Sequence, residues 1–182
     1  MNARAYILPR PTSLDTDAAM IFASGFLATL AMTTIMYVLP LIGVGRVDLL
    51  TWTTRLFAEV DLPTWAARAF SEDPRRIAAL GIGLHIFLGF GYAWVFADQV
   101  EPRLQFGPLR AGLLFGGALW LFAQIVEVPL LGMVGGADLS PGVFAFRLGP
   151  GAFLASLLAH LAYGGTLGGV YGCHWGGTCR CR

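Results

Sequence analysis

Four stretches of this chain, about 18–42, 75–97, 109–131 and 150–172, are long, apolar and poor in charge. A helix needs about 20 such residues to cross the hydrocarbon of a bilayer. Charged residues make up 13% of the sequence and hydrophobic ones 56%, whereas a soluble domain carries about 25% charged residues. That deficit assigns the chain to the membrane class. The expected fold is therefore all-α: a polytopic membrane protein of four transmembrane helices. A polar arm over 1–17 precedes them, a loop over 43–74 separates the first two, and a tail over 173–182 follows the last.

The first apolar run is too long for the core of a signal peptide and lacks a cleavage site, so it reads as a retained anchor. In the long loop, Leu49, Trp52, Leu56 and Val60 share a helical face, while Asp48, Thr51, Arg55 and Glu59 are polar. Such an amphipathic segment lies in the interface plane, with Trp52 and Trp65 at headgroup level. The formal charge of +1 carries no signal for nucleic acid. The partner it implies is the lipid bilayer, with a second copy or another membrane subunit as the protein partner.

The chain repeats itself. Val38-Leu39-Pro40-Leu41-Ile42-Gly43 ends the first span, and Glu127-Val128-Pro129-Leu130-Leu131-Gly132 ends the third. His85 with Gly89 lies in the second span, and His160 with Gly164 in the fourth. Span, loop and span thus occur twice, as two helical hairpins in parallel orientation. His85 and His160 then lie at matched depth, about 12–15 Å below one surface at ~1.5 Å per residue. Thr33, Tyr37, Gln124 and Glu127, on the antiparallel spans, reach nearly the same level. These six side chains form a candidate intramembrane polar layer.

The 24 glycines are about twice the ordinary share. In membranes small residues let helix backbones approach closely. Gly164, Gly168 and Gly172 recur every four residues, as do Gly112 and Gly116. With Gly25 and Gly89 they form the expected packing set. Gly25, Thr29, Thr33 and Tyr37 make a further stripe on the first span. Arginines divide evenly between the two sides; the more basic short turn and tail place both termini in the cytoplasm of a cell with an inner membrane.

Several cues together resemble a family. They are Gly25-Phe-Leu-Ala-Thr-Leu-Ala-Met-Thr33, Pro40-Leu-Ile-Gly43 with Asp48, His85 with Gly89, Pro129-Leu-Leu-Gly132, and His160-Leu-Ala-Tyr-Gly164 with Gly168, Tyr171 and Gly172. Over about Ala18–Gly172 the chain is similar to an uncharacterised family of small bacterial and archaeal four-span integral membrane proteins, a domain of unknown function. The resemblance implies four helices and a membrane location. It implies no activity, cofactor or catalytic residue.

Two imidazoles on parallel helices could ligate one b-type haem from opposite faces, with Gly89 and Gly164 leaving room for the macrocycle. Alternatively each histidine hydrogen-bonds a neighbouring helix through Thr33, Gln124 or Glu127. Glu127 is a carboxyl group inside a span, which is expensive and marks a functional site by default. Paired with histidine it could pass protons or hold a cation; near the span's end it could instead reach headgroups. The tail holds Cys173, Cys179 and Cys181 beside His174, donors that suit zinc or copper but match no zinc-knuckle spacing. Candidate metal ligands are thus His85 and His160, and separately the tail cysteines.

No nucleotide-binding loop, HExxH motif or hydrolase elbow occurs. The sequence reads as a non-enzymatic membrane protein, an accessory subunit or a small-solute handler with a His/Glu/Gln polar layer. The alternatives are a small b-type cytochrome with haem between His85 and His160, and a proton or ion pathway.

Overall fold

The computed structural model describes residues 14–42, 74–104, 107–127, 129, 144 and 150–175. Among these residues the chain is helical and has no strand. Its long helices are α1 (Leu14–Leu41), α2 (Pro74–Val95), α3 (Pro108–Phe122) and α4 (Pro150–Trp175). Ala18–Leu39, Pro108–Glu127 and Pro150–Gly172 are long and apolar enough to cross a membrane. The amphipathic loop segment, Cys179 and Cys181 lie outside the described residues, as does the side chain of Cys173.

Three of the helices begin on proline, which has no N–H to leave unpaired in a first turn and a φ already set for helix. Gly107 precedes α3 in an extended conformation and accepts the first bond, from the Ala111 N–H, at 3.0 Å. Within α1 the hydroxyls satisfy themselves locally. Thr29 donates to the Gly25 carbonyl, Thr33 to that of Thr29 and Thr34 to that of Leu30, each at 2.8 Å. Bonding back along the helix lets a hydroxyl sit in an apolar medium without an exposed donor.

The sequence predicts a turn over 98–107, but the helical path continues further. After Val95 it widens into a π-helical turn, Phe96–Val100, closed by the Glu101 N–H donating to the Phe96 carbonyl at 2.8 Å. α3 likewise runs into a π-helical turn, Ala123–Glu127. Each wide turn ends two residues before a proline, Pro102 or Pro129. Proline cannot donate to the carbonyl four residues back and its ring crowds that group. The freed carbonyls are those of Asp98 and Ile125, one inside each wide turn. At Asp98 the Arg103 guanidinium supplies a substitute donor at 3.4 Å.

Helix α4 is the hub. It packs against α1 on one side and α3 on another, and α1 also packs against α2. Its buried positions include Ala152, Ala155, Ala159, Tyr163, Leu167 and Tyr171. The outward positions of all four helices are the large ones: Phe22, Phe26, Leu30, Phe87, Trp94, Leu114, Phe122 and Leu154 are exposed. Large apolar residues outside, with glycines and alanines at the closest helix contacts, are an inversion of the usual soluble arrangement, although Phe96, Tyr163 and Leu167 are also buried. Hydrocarbon surroundings make the inversion favourable, because lipid solvates the outer side chains while close backbone approach supplies the packing.

That approach is closest between α3 and α4. A Cβ added at Gly112 would strike the Gly164 carbonyl and lie 2.8 Å from the Gly168 Cα. One added at Gly116 would strike the His160 carbonyl, and one at Gly168 the Pro108 carbonyl. Gly172 faces the Pro108 ring. Between α1 and α2 the approach is looser and involves side chains. Gly25 faces the Ala93 Cβ at 2.8 Å, and Gly89 faces the Thr29 side chain. Gly169, four residues after Gly165 on the fourth span, faces open space instead.

Candidate functional site

A cavity of about 80 Å³ lies among the helices, lined by Thr29 and Met32 of α1, His85, Leu88, Gly89 and Tyr92 of α2, Leu119 and Glu127 from the α3 side, and His160 and Tyr163 of α4. Each polar group reaches it for a local reason. Thr29 and Met32 lie about one turn apart on α1. His85, Gly89 and Tyr92 recur at spacings of four and three along one face of α2. Side chains on a helix lean toward its N-terminus. The Tyr92 hydroxyl therefore drops toward the level of Gly89, while Glu127 on the opposing helix leans back to meet it. The Tyr92 hydroxyl donates to Glu127 Oε1.

The other polar contacts tie the cavity wall together. His85 Nε2 lies 3.2 Å from Thr33 Oγ1. The Tyr163 hydroxyl, 1% exposed, donates to the Gly89 carbonyl at 2.6 Å, which joins α4 to α2. His160 Nδ1 lies 2.8 Å from the Ser156 carbonyl one turn earlier. Gln124 donates from Nε2 to Ser156 Oγ at 3.1 Å, so Ser156 connects both polar residues. The Gln124 Oε1 is buried and has no hydrogen-bond partner among the described residues.

Of the six residues expected to share a layer, His85, Glu127 and His160 line the cavity and Thr33 bonds to one of them. Gln124 is buried between α3 and α4, turned to Ser156 and outside the lining. Tyr37 is 48% exposed and takes no part. Sequence reasoning did not single out Tyr92, Tyr163 or Ser156. Their signal was helical spacing from a histidine: Tyr92 seven residues after His85, Tyr163 three after His160, and Ser156 four before it.

The arrangement does not fit a haem between the histidines. The cavity is far below the ~300–1,000 Å³ of ordinary ligand sites. The two glycines that would face the macrocycle are both covered, Gly89 by Thr29 and Gly164 by the backbone of Gly112 and Gly116. Among the described residues no three His, Cys, Asp or Glu side chains gather closely enough to hold a metal ion. The available volume suits about two groups the size of water, whose share of liquid volume is ~30 Å³.

Aromatic clusters lie along the helix contacts on either side of the cavity. Phe96 packs on Phe115 and Tyr171 with ring centroids 5.3 and 6.3 Å apart. Trp120 packs edge-on to Phe153 at 5.1 Å. No family model matches the chain, and no curated protein or solved structure matches it.

Proposed function

We propose that the chain crosses the membrane four times, as two helical hairpins of like orientation, and conducts protons through the cavity they enclose. The duplication is supported by how the hairpins pack. One common interval separates His85 from His160, Gly89 from Gly164 and Ala93 from Gly168; a second separates Gly25 from Gly112 and Thr29 from Gly116. Within each hairpin the corresponding residues meet: Gly25 with Ala93 and Thr29 with Gly89, then Gly112 with Gly168 and Gly116 with Gly164. The wide turn before Pro129 adds length to the second copy, since an i→i+5 turn takes up more residues than an α turn. Even span number puts both termini on one side, and the more basic short turn and tail favour the cytoplasm for that side.

A single observation carries the proton reading. Two imidazoles and a carboxyl group from three helices line one cavity large enough for about two bridging waters. Chains of Glu, His and water are how protons cross low-dielectric regions. Glu127 closes its span and links the cavity, through Tyr92, to the end of α3.

The test is proton flux in proteoliposomes carrying an entrapped pH dye, driven by a potassium diffusion potential. The wild-type protein should acidify the lumen well above protein-free vesicles. Glu127→Gln should slow the rate at least tenfold, while Tyr37→Phe, outside the cavity, should leave it unchanged. A wild-type rate equal to that of empty vesicles, or indifference to Glu127→Gln, overturns the proposal.

A further inference from the structure

We infer that the cavity is a binding site for a small hydrogen-bond-donating cation of the ammonium class, ammonium or methylammonium, in preference to an alkali ion. The inference rests on the cavity being a cation-accepting site, and not on proton flux as such.

It follows from where each hydrogen goes. A threonine hydroxyl has one proton. Thr33 gives its proton to the Thr29 carbonyl at 2.8 Å, so toward His85 its oxygen can only accept. In the neutral ring His85 Nε2 therefore carries the hydrogen and Nδ1 is bare. A carbonyl also only accepts, so His160 Nδ1, at 2.8 Å from the Ser156 carbonyl, carries the hydrogen and Nε2 is bare. The hydroxyls are committed as well: Thr29 to the Gly25 carbonyl, Tyr92 to Glu127 and Tyr163 to the Gly89 carbonyl. Among the described lining residues, every hydroxyl and imidazole has directed its hydrogen at a protein acceptor. The lining thus offers lone pairs and a carboxyl group, with no hydroxyl or neutral imidazole hydrogen left over among the described residues.

A wall of that kind selects a guest that brings N–H or O–H groups and positive charge. Ammonium brings four directional donors, enough to serve a few convergent acceptors. An alkali ion needs a shell of oxygens to replace its water, and here Met32, Leu88, Leu119 and the glycine backbone occupy much of the lining. Those same apolar groups can receive the methyl group of methylammonium. Tetramethylammonium, with no donor and greater bulk, should be refused by a cavity of about 80 Å³.

The experiment uses the full chain in lipid nanodiscs at pH 7.5, titrated calorimetrically at constant ionic strength with ammonium, methylammonium, potassium and tetramethylammonium chlorides. Ammonium and methylammonium should bind at least tenfold more tightly than potassium, and tetramethylammonium should not bind. Glu127→Gln should weaken ammonium binding at least tenfold. A second measurement needs no variant in the cavity: nitrogen-15 spectra of histidine-labelled protein, with His174→Gln simplifying the assignment. They should show His160 protonated on Nδ1 and His85 on Nε2.

Equal binding of potassium and ammonium overturns the inference and leaves a cation site selected by charge alone. Proton flux without ammonium binding overturns it and leaves the proton pathway standing. Ammonium binding without flux supports it and removes the pathway. The opposite tautomer at either histidine overturns it whatever binds.

Discussion

The α1–α2 and α3–α4 contacts use corresponding positions for different ends. In α3–α4 all four central positions are glycine, and backbone lies on backbone: Gly112 and Gly116 against Gly164 and Gly168. In α1–α2 two of the four are Thr29 and Ala93, so side-chain atoms separate the helices. One turn beyond, Thr33 meets His85, whereas Trp120 takes the corresponding place on α3 and His160 turns back to its own helix at Ser156. The glycine contact holds the bundle together, while His160 and Tyr163 of α4 and Glu127 from the α3 side still reach the cavity. The hydroxyl contact sits farther apart and furnishes one wall of the cavity. A single packing scheme, varied at a few small residues, thus gives a tight clamp in one hairpin and a looser contact in the other, with both hairpins lining the cavity.

The largest effect should come from breaking the clamp. Gly112→Ala puts a Cβ onto the Gly164 carbonyl and the Gly168 backbone. Neither neighbour has a side chain to retract, so the helices themselves must separate. The expected loss is about 3 kcal/mol, the upper end for overpacking, despite alanine's better helix propensity. Thermal unfolding in detergent reads it. No truncation on α4 should restore stability, because Gly164 and Gly168 have nothing left to remove.

Gly89→Ala tests the other side. Its obstacle is chiefly the Thr29 side chain, so the expected cost is smaller, about 1–2 kcal/mol. Adding Thr29→Ala should return most of it, since the interfering hydroxyl and methyl leave together. If Gly112→Ala and Gly89→Ala melt alike, or the double variant is no better than Gly89→Ala alone, the two contacts do not differ as described.

Much of this was legible beforehand, and the failures have physical causes. The apolar segments, the glycine ladder of α4 and the two histidines stand out because charge, glycine and histidine are conspicuous against leucine and alanine. Tyr92 and Tyr163 do not stand out, since aromatic residues in an apolar helix are ordinary until a hydroxyl finds its partner. Tyr37 was misplaced by reading a four-residue stripe as one fixed face. At ~100° per residue each step of four turns the face by ~40°, so Tyr37 lies ~120° around α1 from Gly25 and is half exposed. The turn expected from Asp98 was misplaced because Pro102 widens the helix before ending it, and a π-helical turn leaves no pattern in hydropathy.

The smallest effect makes the finest test, since it sets adjacent residues against each other. Gly116 and Gly117 are neighbours on α3, and a Cβ turns ~100° from one to the next. At Gly116 it would strike the His160 carbonyl and lie 3.2 Å from the Gly164 Cα; at Gly117 it would meet nothing within 4 Å. Gly117→Ala therefore adds a methyl group to open space and exchanges the poorer helix former for the better, a difference of up to about 1 kcal/mol in an exposed helix. The same holds on α2, where Gly91 faces open space two residues from the crowded Gly89. Gly117→Ala and Gly91→Ala should melt at or slightly above the wild-type temperature, while Gly116→Ala melts well below it. Were Gly117→Ala as damaging as Gly116→Ala, α3 would have to be rotated about its own axis relative to α4. The clamp would then rest on a different face, and the contrast between the two hairpins would have to be drawn again from other residues.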